Sequence, residues 1–406
     1  MDKKEAKSAY ICPVLFGFLL VMMLVLYLFL PQHDFSQKEN RYLQMRPALT
    51  LQGLKDGSFM DRFETYTTEQ LPFRDILVEC KAFLNGLTLS RENDEIVRGE
   101  DGYLFEKCYG YSAQLSKNET AVLKFVQEAD RPVVVAIAPN ASEILKDHVP
   151  AGCPQVDQTE ALNDLYEKIE ALPYGNSVDL VYPLKDAAKK QPDKQLYYRT
   201  DHHWTTDASY LAYVEIVGML DAVALSKPDA MDEDIFETTD PTSSILHILP
   251  APVANDALTK HEANDFYGTM AAKFKGWDLR PDTLTWYDVA VDDFARSDGN
   301  YDSLYDLSKL EIYDKYAMFL RGNDEICTIS ARNAGNGRHL IVFKDSYANC
   351  LLPFLTYQYD EITVVDLRYY NESVAELLAG DPGADLLLLY NFSFLNEDNH
   401  FYRLTS

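Results

Sequence analysis

Two stretches of this sequence hold residue types that can do acyl chemistry. In HLIVFKDSYANCLLPFL, Ser346 follows an apolar run that reads as a buried strand and stands where a helix should begin. A hydroxyl there faces the crevice at the strand's carboxyl end, and a helix amino terminus offers N–H groups to a developing oxyanion. The same place suits a plain helix cap, a role open to Asp345 or Ser346. The second stretch is Asp201-His202-His203-Trp204. Asp201 and His203 are two apart, so in an extended segment both side chains point the same way. A carboxylate beside an imidazole fixes its tautomer and stabilises the imidazolium. Such a pair also occurs around structural histidines and metals, but His33, His148, His247, His261, His339 and His400 add no ligand spacing. Taken together, Ser346, His203 and Asp201 are a nucleophile, a base and its orienting acid, the set needed for acyl transfer. That chemistry needs no metal and no organic cofactor.

The elements that must position these residues are read from apolar periodicity. Pro132–Ala138, Ser177–Tyr182, His339–Phe343, Glu361–Asp366 and Asp385–Tyr390 are short apolar runs of the kind found in strands buried on both faces. Helical patterns fall between them, over 156–171, over 205–222, from Tyr347, and near 372–379. Strands alternating with helices predict an α/β fold around a mostly parallel sheet, with ligands beyond the carboxyl ends of the strands. That rule adds weaker candidates. Asn391 follows the last buried run and could donate to an oxyanion or sit in a turn. Asn140 follows PVVVAIAP, where a turn is the simpler reading. Arg368 could pair with Asp366 or hold an anionic substrate, and Trp204 could stack on a sugar or pack in the core. Residues 224–337 are acidic and turn-rich and show no clear order of elements.

Composition sets the class and the address. The chain has 406 residues, 47% of them apolar, with 37 Lys and Arg against 64 Asp and Glu, a net charge of −27. These values exclude extended disorder, a coiled coil and a polytopic membrane protein. A surface this acidic repels phosphate backbones, so nucleic acid is not expected as a partner. Tyr10–Leu30 is uncharged, ends at Pro31 and is long enough to span the roughly 30 Å hydrocarbon core. No small-residue cleavage motif follows, so the run reads as a retained single-pass anchor, with a long cleaved signal peptide as the alternative. Lys3, Lys4 and Lys7 precede it and Lys38, Arg41 and Arg46 follow, an even count, but the upstream lysines and the free amine sit closer to the span and favour residues 1–9 in the cytoplasm and the bulk of the chain outside. Residues 31–95 read as a stalk and helical segment, and 96–406 as the main domain with an insertion at about 224–337. Cys12, Cys80, Cys108, Cys153, Cys327 and Cys350 show no zinc spacing.

The motifs TDHHWT (200–205) and FKDSYANCLLPFL (343–355) closely resemble the DHHW protein family. So do FSQKENRYLQMRP (35–47), QLPFRD (70–75), GEDGYLF (99–105), APN (138–140) and VVDLRYYN (364–371). The resemblance runs over nearly the whole chain. It implies a relation to the SGNH hydrolase-like proteins of alginate-type polysaccharide O-acetylation. In those proteins the Asp-x-His precedes the serine, a circular permutation of ordinary SGNH hydrolases. By position Ser346 matches the nucleophile, His203 the base and Asp201 its partner. Lys344 stands where the family usually has glycine. The resemblance further implies a membrane-anchored acetyltransferase acting outside the cytoplasm on a cell-surface or exported polysaccharide, with a membrane protein as acyl donor. A carbohydrate acetylesterase and a non-catalytic glycan-binding or assembly protein are the alternatives.

Overall fold

Strand formation in this chain follows apolar runs that bury both faces. Val133–Ala138 (β1) and Asp385–Asn391 (β8) are buried at every residue. Each large aliphatic side chain buried this way contributes about 1.5–3 kcal/mol. The computed structural model describes residues 3–36, 41–87, 91–93, 95–225, 252–254, 257–274, 278–331 and 334–405. These fall into two compact units, 1–93 with 272–278, and 94–271 with 279–406.

The first unit holds the apolar helix Lys3–Phe29 and the helices Leu51–Lys55, Ser58–Glu69 and Arg74–Leu87. The break at Leu71-Pro72-Phe73 divides the last two helices, and Phe73 takes a left-handed φ of 60° there. All of the expected anchor run but Leu30 lies within the first helix, and its side chains from Val14 to Phe18 are mostly exposed.

The second unit is built on an eight-stranded sheet. Besides β1 and β8 it contains Gly175–Val178 (β2), Asp293–Arg296 (β3), Gly299–Tyr301 (β4), Ile326–Ser330 (β5), His339–Lys344 (β6) and Glu361–Val365 (β7). The spatial order is β4-β3-β5-β7-β6-β8-β1-β2. The run from β7 to β2 is parallel, and β5, β3 and β4 extend it antiparallel. The α/β fold with a mostly parallel sheet is thus as expected. Helix Thr206–Leu225 is long and apolar enough to cross a bilayer, but nearly half of it is buried inside the domain.

Three expectations change. The stretch read as an insertion gives β3, β4 and β5 to the sheet itself, while residues 226–251 of it lie outside the described residues. The second buried run stops at Val178, because the Asp179 carboxylate accepts the Val181 N–H at 2.8 Å and starts helix Val181–Lys190. The helix expected from Tyr347 is a 3₁₀ turn, Ser346–Cys350, followed by the short helix Leu352–Leu355.

Candidate active site

The turn that carries Ser346 is held by Asp345. This residue leaves β6 in extended backbone, and its carboxylate accepts the Tyr347 N–H at 2.8 Å and the Asn391 N–H, at the end of β8, at 2.6 Å. Capping therefore falls to Asp345. The half-buried Ser346 hydroxyl is left to meet His203 Nε2 at 2.8 Å. Burial pushes the Asp345 carboxyl up to about 6, against the pull of its two backbone donors.

His203 arrives on a loop closed by an antiparallel bridge between Tyr197 and Trp204. Within it the chain bends, and Asp201 Oδ1 accepts the His203 N–H at 3.0 Å in an Asx-type turn. The same oxygen accepts His203 Nδ1–H at 2.5 Å. The segment is thus not extended, but the local hydrogen bond still brings the carboxylate to the imidazole. His202 does not point away. Its ring centroid lies 3.9 Å from that of His203, and its Nδ1 meets Thr269 Oγ1 at 2.8 Å.

Two of these distances fix the protonation pattern. With Nδ1–H donating to Asp201, Nε2 is left as the acceptor of the Ser346 O–H. Burial, with His202 beside it, pushes His203 down to about 4 against the attraction of Asp201. Burial raises the Asp201 carboxyl, but the neighbouring His203 and His202 and the His203 hydrogen bonds outweigh it and hold it well below the usual carboxylate range. Near neutrality the pair is a carboxylate and a neutral imidazole, the state a general base requires.

Asp201 is seated by residues that lie in the stretch without a legible pattern. Its Oδ2 accepts the Thr269 N–H at 2.8 Å and the Thr269 hydroxyl at 3.1 Å. Gly268 backs onto it so closely that a Cβ there would sit 2.1 Å from the Asp201 Cβ. Asp282 anchors the loop by accepting the Thr200 N–H at 2.9 Å and its hydroxyl at 2.7 Å. The one available signal was the Gly268-Thr269 pair opening helix Thr269–Phe274.

The weaker candidates are placed as follows. Asn391 Nδ2 donates to the Ala138 carbonyl at 3.1 Å and its Oδ1 accepts the Ser393 N–H at 2.9 Å. The oxygen caps the following helix, and one of the two amide N–H groups is engaged. Trp204 is fully buried with its N–H on the Tyr347 carbonyl, so its ring offers no face to a sugar. Arg368 makes a two-pronged ion pair with Asp366, at 2.9 and 2.6 Å. Asn140 donates to Ser393 Oγ at 2.8 Å and borders a small hollow shared with Phe105, Ala141, His202, Met270 and Tyr347. Lys344 turns away from the serine into the interior, with Nζ 2.8 Å from Asn349 Oδ1, 3.0 Å from Asn323 Oδ1 and 3.6 Å from Asp366. Asp201, His202 and His203 each place a ligand-type atom within 4.8 Å of the others. Two of those atoms, Asp201 Oδ1 and His203 Nδ1, already bond each other.

A mostly parallel sheet with a serine after a central strand and an Asp-x-His loop over it is an SGNH hydrolase-like fold. Residues 96–250 match the family model described as SGNH hydrolase-like domain, acetyltransferase AlgX. The structure is similar to that of a DHHW family protein from Eubacterium siraeum DSM 15702, at 21% identity and a TM-score of 0.56, covering 76% of this chain and 93% of that one. It is also similar to Bacillus cereus PatB1 with a sulfonyl adduct, at 19% identity and a TM-score of 0.58, covering 77% of this chain and 98% of that one. No curated protein matches the chain.

Proposed function

We propose that this chain is an SGNH-type O-acetyltransferase, held at the outer face of a membrane by its first helix and acting on a polysaccharide. The observation that carries the reading is the bridging His203, which meets Asp201 at 2.5 Å through one ring nitrogen and Ser346 at 2.8 Å through the other. The family match over 96–250 supports acetyl as the acyl group. The uncharged run Tyr10–Leu30 supports the anchor.

The steps follow from the geometry. Ser346 Oγ attacks the acetyl carbonyl carbon as His203 Nε2 takes its proton. Asp201 stabilises the imidazolium so formed. The tetrahedral intermediate collapses, the donor oxygen leaves with the proton from His203, and an acetyl-serine remains. A glycan hydroxyl then attacks, giving its proton to His203, and the ester passes to the sugar while Ser346 recovers its proton. A membrane protein supplying the acetyl donor completes the reading.

The test is acetyl-ester turnover by the full chain in detergent, with and without a glycan acceptor, and labelling by a serine-reactive phosphonate. Wild type should release acetate or acetylate the acceptor and take one label at Ser346. Ser346→Ala should do neither while melting within about 1 kcal/mol of wild type, since capping belongs to Asp345. Full activity in Ser346→Ala, or loss of wild-type activity on chelation with recovery on zinc, refutes the triad.

A further inference from the structure

One ring lies against the base in a way that the triad alone does not require. Tyr316, from the 3₁₀ turn Lys315–Met318, is buried and stacks on the His203 imidazole with centroids 3.7 Å apart and planes inclined by 8°. Its hydroxyl donates to the backbone carbonyl of Ser346 at 3.0 Å. His202 lies 3.9 Å from His203 by ring centroid, so the imidazole has close aromatic neighbours besides its two in-plane hydrogen bonds. We propose that Tyr316 is a positioning residue of the triad, whose ring holds the plane of His203 while its hydroxyl holds the turn that carries Ser346. The inference deepens the reading of these residues as base and nucleophile and rests on it.

The surroundings of Tyr316 are built to keep it in place. Tyr305 and Phe319 form an antiparallel bridge, and the Asp306 N–H bonds the Met318 carbonyl at 2.9 Å. Leu320, Arg321 and Gly322 then follow with φ of 51°, 57° and 90°, a left-handed run whose two non-glycine members cost about 1 kcal/mol or more each. The Arg321 guanidinium lies 3.8 Å from the centre of the Tyr301 ring. A side chain held this way can fix the two reacting partners to within the few tenths of an ångström that catalysis requires.

Removing the flat ring exposes His203 to solvent and loosens its plane, so its proton affinity reports the contact. The ionisable groups facing His203 are Asp201 and His202 from its own loop, Tyr347 from the nucleophile turn, Tyr316 itself, and Glu106 acting through space. The full chain in detergent, with isotope-labelled histidine, is titrated by nuclear magnetic resonance, the His203 signal being assigned by its loss in His203→Gln. In wild type that signal should be shifted upfield by the stacked ring. Tyr316→Phe should keep the upfield shift and the midpoint. Tyr316→Leu should lose the shift, raise the midpoint by about one unit or more and slow phosphonate labelling of Ser346 roughly 10–100-fold. A wild-type signal without the upfield shift overturns the proposal whether or not the leucine variant folds. An unchanged midpoint in Tyr316→Leu, or an equal rise in Tyr316→Phe, overturns it too. If wild-type Ser346 takes no label, the acyl-transfer reading falls, while the titration and ring shift still judge the clamp.

Discussion

Thr269 donates both its N–H and its hydroxyl to one carboxylate oxygen of Asp201, 68 residues earlier in the chain. The orienting acid is thereby fixed from the side away from the imidazole. Thr269→Val keeps the N–H bond and deletes the hydroxyl, with its bond to the Asp201 carboxylate, worth about 1.5–3 kcal/mol as a hydrogen bond to a charged group, and its contact with His202 Nδ1. Turnover should fall about 10–100-fold, with Thr269→Ser close to wild type. Gly268→Ala should be the more severe change, since its Cβ would sit 2.3 Å from the same Asp201 oxygen. Steady-state kinetics of the three variants decide this, and a wild-type rate for Gly268→Ala counts against the described seat.

The pH dependence follows from burial. A free histidine titrates near 6.5, and the bare motif suggests a base of that kind. In the folded chain His203 is pushed down to about 4, so the neutral base persists well below neutrality. The rate should rise with pH through about 4 and then level off, with no acid limb near 6.5. The native value lies below the unfolded one, so the unfolded chain binds this proton more tightly. Stability from His203 is therefore full above about 6.5 and declines as pH falls toward 4. Asp201 is lowered as well, so its share is present above its unfolded value and is lost at still lower pH. Rate and melting profiles from pH 3 to 8 measure both.

Lys344 occupies the place where the resembling family has glycine, and the structure gives it a definite partner set. Its ammonium is buried beside Asp366, Asn323 and Asn349, and burial pushes its pKa down. Lys344→Gly or Lys344→Met leaves the buried Asp366 with Arg368 as its remaining cation among the described residues. Either variant should lose about 3 kcal/mol, within the range for breaking a buried pair. Neither should turn over faster than wild type. A rise in turnover for Lys344→Gly would mean that the lysine obstructs the site, contrary to the direction its side chain takes.

What could be read in the sequence was the part of the molecule with a period or a motif. The runs around Ile137, Val342 and Leu388 are apolar at consecutive positions because both faces are covered, and they stand out from any alternating pattern. Asp201, His203 and Ser346 were visible as reactive types beside such elements. Their supports were not. Thr269, Gly268, Asp282 and Tyr316 act through tertiary contacts with residues far away in sequence, which no local pattern announces. Strands β3 to β5 alternate in burial or are only three or four residues long, which makes their apolar signal faint. Asn391 and Trp204 each leave two readings open in the sequence, because a place at a strand end or beside a motif does not tell which partners a side chain finds.

The place of β8 in the sheet orders the events of folding. This strand, residues 385–391, lies between β6 and β1, so the two flanking strands have no shared ladder until it is inserted. Its final residue, Asn391, also gives the Asp345 carboxylate its second backbone donor. Pairings this distant in sequence form slowly, because the loop-closure entropy is lost before the contacts compensate it. A nascent chain that has reached residue 384 thus holds a nucleophile turn without its final restraint. The serine becomes fully seated only when β8 has been made.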